Sequence, residues 1–125
     1  AEKTESGLMY IIKKEGSGPK AVRGSQLQVD YAGGFLDGKL FDTSIEKRAK
    51  DADIYNPNRD YKPLPLTCGV GQVIKGWDEG LQLLNEGSEA TFIIPAHLGY
   101  GERGYPPVIP ANATLVFDVK LVKVD

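Results

Sequence analysis

Apolar and polar positions alternate with a period of two through much of this chain, the pattern of strands with one buried face. It is clearest where Leu27, Val29, Tyr31, Gly33 and Phe35 alternate with Gln28, Asp30, Ala32 and Gly34. Asp37-Gly38 follows between Phe35-Leu36 and Leu40-Phe41. Both residues tolerate positive φ, so the pair predicts the tight turn of a β-hairpin. Leu8 to Lys14 is rich in branched and aromatic residues and stops at the breaker cluster Gly16-Ser17-Gly18-Pro19, which predicts a strand and a turn. Glu89 to Ile94 places Ala90, Phe92 and Ile94 on one face before Pro95. Leu115, Phe117, Val119 and Leu121 share a face of a last strand, with Asp118 and Lys120 opposite. Leu64 to Cys68 suits a short edge strand, because Pro63 and Pro65 donate no ladder hydrogen bond.

The period changes once. Val73, Trp77, Leu81 and Leu84 recur at helical spacing, predicting an amphipathic helix from near Lys75 that stops before Gly87. Thr43 with Glu46 three residues later has the form of a capping box, from which a short helix over residues 44–52 is expected before Asn56-Pro57-Asn58 breaks it. Residues 96–112 carry three prolines, glycines at 99, 101 and 104, and no period, which is long for a connection and marks a candidate binding loop. Antiparallel strands with one main helix imply an α+β domain in which the helix covers one face of a sheet.

A length of 125 residues suits one domain with one core. Fifteen basic against 17 acidic residues leave a formal charge of -2, too little positive charge to neutralise a phosphate backbone, so nucleic acid is not an expected partner. Apolar runs such as Thr114 to Val119 are too short to span a bilayer, and Ala1 to Ser6 has no apolar signal core. A soluble chain without membrane insertion is expected. The first residue is Ala1 rather than methionine, which fits a processed form or a piece of a longer protein, so cytoplasmic and extracytoplasmic locations both stay open. One cysteine, Cys68, allows no internal disulfide, and with one histidine, His97, supplies no structural zinc site. Nothing in the spacing of Cys68 and His97 demands a thiol nucleophile with its base. The mixed charges of Glu46 to Asp51 read as a solvated face, and the acceptor pattern Asn112-Ala113-Thr114 is assigned no function.

Five segments in order carry a resemblance. Val29-Asp30-Tyr31-Ala32-Gly33, Leu36 to Ser44 (LDGKLFDTS), Val73 to Gly80 (VIKGWDEG), Gly99-Tyr100-Gly101 and Ile109 to Phe117 (IPANATLVF) closely resemble the successive motifs of the FKBP family of peptidyl-prolyl cis-trans isomerases. The match runs from about Gly7 to the carboxyl terminus, leaving residues 1–6 as a tail. Five motifs in sequence are far more specific than one short pattern. The resemblance implies a twisted antiparallel sheet wrapped around one short α-helix, with an active pocket between them.

Carried over position by position, the resemblance implies catalytic roles for Tyr31, Asp42 and Tyr100. It implies substrate-binding roles for Phe41, Leu64, Val73, Ile74, Trp77 and Phe117, with Tyr105 and Val108 in the rim loop. The indole of Trp77 would form the floor and the other rings the walls. The Ile74 N–H and the Tyr100 hydroxyl resemble the family's donors to substrate or inhibitor carbonyls, and Asp42 would hold the Tyr31 hydroxyl. On periodicity alone Tyr31, Phe41, Trp77 and Phe117 are core residues and Asp42 a turn aspartate; a pocket cut into a core uses the same side chains. Three departures bear on substrate preference: Leu64 stands where the family often has an aromatic, Tyr105 where many members have histidine, and residues 43–62 are longer than the usual connection.

The implied function is non-covalent isomerisation of X-Pro bonds in protein chains, assisting folding, with no cofactor or metal. Proline-containing polypeptides are the expected partners, tacrolimus- or rapamycin-type macrolides expected ligands, and a monomer the expected state. A binding module that holds a proline-containing partner without catalysis is the alternative that Leu64, Tyr105 and the insertion leave open. Residues 43–62 are expected to form a structured flap near the pocket, because Ile54, Tyr55 and Tyr61 give it apolar surface that a solvated spacer does not need; a tolerated surface insertion is the other possibility.

Overall fold

Each alternating segment becomes a strand whose apolar face meets the same helix. The computed structural model describes residues 1–125. The strands are β1 (Glu2–Lys3), β2 (Met9–Lys14), β3 (Gln26–Phe35), β4 (Leu40–Thr43), β5 (Leu64–Thr67), β6 (Glu89–Ile94) and β7 (Leu115–Val124). The α-helices are α1 (Glu46–Asp51) and α2 (Lys75–Leu81), and a 3-10 turn spans Ala96–Leu98. All strands join one sheet in the order β1-β2-β6-β7-β3-β4, with β5 also paired to β3. Every pairing is antiparallel. The structure is thus the expected α+β arrangement, with α1 as a second helix inside the insertion.

Register explains the core. Phe92, Phe117 and Gly33 lie side by side across β6, β7 and β3, flanked by the rows Ala90-Val119-Tyr31 and Ile94-Leu115-Phe35. These rows face α2, whose Trp77 and Leu81 are buried with Phe92, Ile94 and Leu115. Burying each such large side chain contributes roughly 1.5–3 kcal/mol. Two glycines on one face of α2 set how closely it approaches: a Cβ on Gly76 would lie 2.7 Å from Ile94 Cγ2, and one on Gly80 would lie 2.7 Å from Phe92 Cζ. The helix rests its backbone almost directly on β6.

α2 ends at Leu81, earlier than its apolar spacing suggests. Leu83 and Leu84 continue in a tighter turn, donating to the carbonyls of Gly80 and Leu81, so Leu84 is buried without being helical. The hairpin turn forms as expected, with Gly38 N–H on Phe35 C=O and Gly38 at φ +88°.

The outer edge of β3 is shared. β5 pairs with Gln26 to Val29 and β4 with Ala32 to Gly34, so the chain leaves the sheet opposite Ala32 and returns opposite Val29, on either side of Tyr31. Between those points α1 forms, but the expected capping box does not. The Thr43 hydroxyl donates to Tyr31 C=O at 2.6 Å and accepts the Ile45 N–H at 3.1 Å, and the helix begins after Ile45 with no side-chain cap. α1 covers the face of the sheet opposite α2: Ala49 is buried and Arg48 lies 3.6 Å from Asp118 of β7. The charge run is therefore only partly a solvated face, with Lys47–Asp51 and Glu46–Lys50 pairs outside and Arg48 turned to the sheet.

At the amino terminus Glu2 and Lys3 pair with Tyr10 and Met9. No helix is long and apolar enough to cross a membrane.

Candidate active site

A cavity of about 460 Å³ opens between α2 and the inner face of the sheet. Tyr31, Phe41, Asp42, Leu64, Val73, Ile74, Trp77, Tyr100 and Phe117 line it, together with Gly71 and Gln72, which sequence reasoning did not name. Tyr105 and Val108 do not line it. They are exposed on the loop beyond Tyr100, the Tyr105 ring 5.6 Å from that of Tyr100.

Each wall has a local cause. Tyr31 and Phe117 point inward because they alternate in register with the core rows, and Gly33 leaves the space that the Phe117 ring fills; a Cβ there would come within 2.3 Å of the ring. Phe41 and Asp42 are neighbours in sequence, and in a regular strand they would point to opposite faces. The register shifts here, Gly33 pairing with Asp42 and Gly34 with Leu40, and this bulge at Phe41 lets both residues face the cavity. Trp77 enters from the first turn of α2. Its ring meets those of Tyr31 and Phe117 edge-on, at 5.2 and 5.3 Å between centroids, while Phe41 stands edge-on to Phe117 at 5.7 Å. Such edge-to-face contacts hold rings rigidly and add stability beyond area burial.

The loop leading into α2 is pinned from the helix itself. Asp78 accepts the N–H groups of Gly69 and Gly71 through its two oxygens, both at 2.9 Å, and Gln72 Oε1 accepts the Thr67 N–H. Val73 and Ile74 are thereby held at the cavity edge.

One corner is polar. The Tyr31 hydroxyl donates to Asp42 Oδ2 at 2.5 Å. Asp42 Oδ1 accepts the Thr43 N–H at 2.8 Å and Arg59 Nη1 at 2.6 Å, and Arg59 Nη2 donates to the Tyr31 hydroxyl at 3.3 Å. Burial, followed by the bond to Asp42, pushes the Tyr31 phenol up to about 12, with Arg59 acting in the opposite sense. The guanidinium is raised in turn, chiefly by its bond to Asp42. Arg59 is the main functional candidate missed in the sequence. It lies in a polar stretch far from Asp42 along the chain, and its only signal was its place in the unusually long connection.

Three donors remain unused, two of them at the cavity edge. The Ile74 N–H makes no hydrogen bond within the protein, although Ile74 C=O receives the N–H groups of Trp77 and Asp78. Nor does the Tyr100 hydroxyl meet a protein acceptor; burial, then Tyr105 and Asp42, raise its pKa and keep it protonated. The Trp77 indole N–H is likewise buried without a partner. Cys68 is wholly buried with its thiol raised by desolvation, and His97 Nε2 sits 2.7 Å from Ser6 C=O.

Comparison with known proteins agrees with this geometry. Residues 18–122 match the family described as FKBP-type peptidyl-prolyl cis-trans isomerase. The chain is 46% identical over 121 residues to a probable FKBP-type peptidyl-prolyl cis-trans isomerase FkpA of Neisseria meningitidis serogroup B, covering 97% of this chain and 39% of that protein. It is 42% identical over 118 residues to an FK506-binding protein of the same organism, covering 94% of this chain and 96% of that one. The crystal structure of FkpA from Escherichia coli superposes with a TM-score of 0.81 at 35% identity, covering 99% of this chain and 51% of that one. AtFKBP13 superposes with a TM-score of 0.82 at 32% identity over 98% of this chain and 97% of its own. The chain thus spans well under half of the longer FkpA relative and nearly all of the shorter one.

Proposed function

This chain belongs to the FKBP-type peptidyl-prolyl cis-trans isomerase family, and we propose that its cavity binds a proline ring of a polypeptide and accelerates rotation about the preceding peptide bond. The observation that carries this reading is a rigid aromatic cavity with two unpaired donors at its edge.

Rotation about an amide faces a barrier of about 18–20 kcal/mol because resonance must be broken. No bond to the protein is needed. In the twisted transition state the carbonyl loses charge separation that water stabilises, so an apolar enclosure favours the twist over the planar ground state. Trp77, Tyr31, Phe41 and Phe117 supply that enclosure. The Ile74 N–H and the Tyr100 hydroxyl are free to hold carbonyls on either side of the bond, which orients the segment and raises affinity for the turned geometry. Asp42, saturated by Tyr31, Thr43 and Arg59, fixes the phenol and gives the apolar site a polar corner. A thousandfold acceleration needs about 4 kcal/mol of differential binding, within reach of such contacts.

Proteins that present X-Pro bonds during folding are the substrates this reading implies, and all the lining residues come from one chain, so no second copy is required. The proline-like ring of a tacrolimus-type macrolide fits the same enclosure and would compete. Tyr105 and Val108, exposed beside Tyr100, are placed to touch residues flanking the proline rather than its ring.

The decisive measurement is exchange NMR of a short X-Pro peptide with and without the protein. Faster exchange that tacrolimus abolishes, with a change in Trp77 emission, is expected. Exchange no faster than in buffer across several peptides would leave a binding module and remove the enzyme.

A further inference from the structure

Residues 43–62 are folded, and their fold leads to the polar corner of the cavity. The rings of Tyr55 and Tyr61 stack 5.6 Å apart at an interplanar angle of 16°. One cation rests over each ring: Lys50 Nζ lies 4.8 Å from the centroid of Tyr55, and the Arg59 guanidinium lies 5.1 Å from that of Tyr61. The turn between the rings is closed by its own bonds. Tyr61 OH accepts the Asn56 N–H at 3.0 Å, Asn56 Oδ1 accepts the Asn58 N–H at 2.9 Å, and Asn56 C=O accepts the Arg59 N–H at 3.1 Å. At the other end α1 is anchored through buried Ala49, whose carbonyl takes the Ile54 N–H, and through Arg48 at Asp118.

We propose that the Tyr55–Tyr61 stack is a positioning device for isomerisation, holding Arg59 so that it clamps Asp42 and Tyr31 at the edge of the proline cavity. This deepens the isomerase reading and rests on it. The chemistry follows from what Arg59 needs. A long guanidinium side chain that is part-exposed loses rotamer freedom when it is held in one geometry, and an exposed ion pair alone gives little to offset that loss. A ring beneath the planar cation confines it and adds attraction, leaving its fork aimed at the carboxylate and the phenol. The stack is itself tied through Lys50 and α1 to the far face of the sheet, so the insertion acts as a brace from that face to the site. Neither Tyr55 nor Tyr61 lines the cavity, and Tyr61 meets the polar corner through Arg59, which makes them positioning rather than catalytic residues.

The test is a double-mutant cycle on the full chain, scored as kcat/KM on an X-Pro peptide, with Arg59 side-chain NMR signals as a readout independent of turnover. A surface cation-ring contact sets the expected loss in Tyr61→Leu at roughly two- to fivefold. In an Arg59→Gln background the same substitution should change nothing further, because the tyrosine acts through the arginine. Tyr61→Phe, which keeps the ring, should recover most of the loss, and faster exchange of the Arg59 Nε–H should accompany Tyr61→Leu. Should Tyr61→Leu fold poorly, Tyr55→Leu carries the same expectations. An equal loss in both backgrounds, no loss from Arg59→Gln, or Arg59 signals indifferent to the stack would each overturn the proposal. An inactive wild type would instead overturn the isomerase reading, while the Arg59 signals would still report whether the brace exists.

Discussion

Gly33→Ala is the sharpest test of how the cavity is built. Gly33 has no positive φ, so alanine meets no backbone strain there, and lost freedom in the unfolded chain would by itself favour alanine by about 0.4–1 kcal/mol. The steric effect has the opposite sign. The new Cβ would lie 2.3 Å from Phe117 Cε1 and 2.8 Å from Cδ1, whereas carbon atoms settle at about 3.5–4.0 Å. The Phe117 ring must therefore move by about 1 Å or more. It is boxed in by Trp77 and Phe41, edge-on at 5.3 and 5.7 Å, so its free direction is into the cavity. Overpacking of this kind costs about 1–3 kcal/mol. The steric cost wins, leaving a net loss of about 1–2 kcal/mol and a fall in Tm of roughly 3–10 °C for a chain of this size. Thermal unfolding by circular dichroism measures the first effect, and peptide or tacrolimus affinity, expected to weaken at least tenfold because the displaced ring occupies the proline space, measures the second. Adding Phe117→Leu should restore much of the stability, since the clash partner is gone. Unchanged Tm with unchanged ligand affinity would refute the reasoning.

Three further outcomes follow from the same geometry. Tyr31 should ionise near pH 12: its folded pKa lies above its unfolded value, so the associated stability is whole below about pH 10 and is lost as pH rises towards 12, and absorbance titration with Tyr31→Phe as control would detect it. Asp42→Asn should lower that ionisation, because the bond and charge of Asp42 both raise it, yet change denaturant stability by less than about 1 kcal/mol, since the Asp42–Arg59 pair is more than a third exposed on both sides; a Tyr31 titration that stays in place would contradict the assigned contact. Gly76→Ala should destabilise despite a helix-propensity gain of about 1 kcal/mol, because Ile94 must give way below 3 Å, and a rise in Tm would show that α2 can lift from β6.

The parts that were legible in the sequence are those where burial imposes a period. β3 and β7 read clearly because Leu27, Val29 and Tyr31 of one and Leu115, Phe117, Val119 and Leu121 of the other pack on a single side, and α2 because Trp77 and Leu81 must share a face. Pairings between remote groups were not legible. The capping box of Thr43 and Glu46 is sound local chemistry, but Tyr31 C=O, twelve residues away, takes the Thr43 hydroxyl, and a window of four residues contains no trace of that competitor. The bulge that turns both Phe41 and Asp42 inward is invisible for the same reason, since it exists only against Gly33 and Gly34. Arg59 reads as one more charge in a polar loop until the sheet brings Asp42 to it. The rings of the cavity were recoverable by resemblance because their types and spacing are held within motifs; the groups that orient them come from residues that follow no period.

Those orienting groups explain how a carboxylate can stand in an apolar site without spoiling it. A polar atom turned away from water is costly only when unpaired, and part-exposed Asp42 has Tyr31, Thr43 and Arg59 on its two oxygens. It therefore offers a substrate little acceptor capacity. The Ile74 N–H and the Tyr100 hydroxyl are in the reverse condition, donors at the cavity edge with no acceptor from the protein. An ordinary phenol is already protonated across the physiological range, and burial shifts Tyr100 further in that direction, so it stays a donor. On the proposed reading, a bound chain is drawn in by its carbonyls at the two donors and by its apolar ring at Trp77, and a segment that presents donors instead of carbonyls finds no partner at either. On that reading, selection for a turned X-Pro segment comes from the asymmetry between a satisfied acceptor and unsatisfied donors, set among the packed rings.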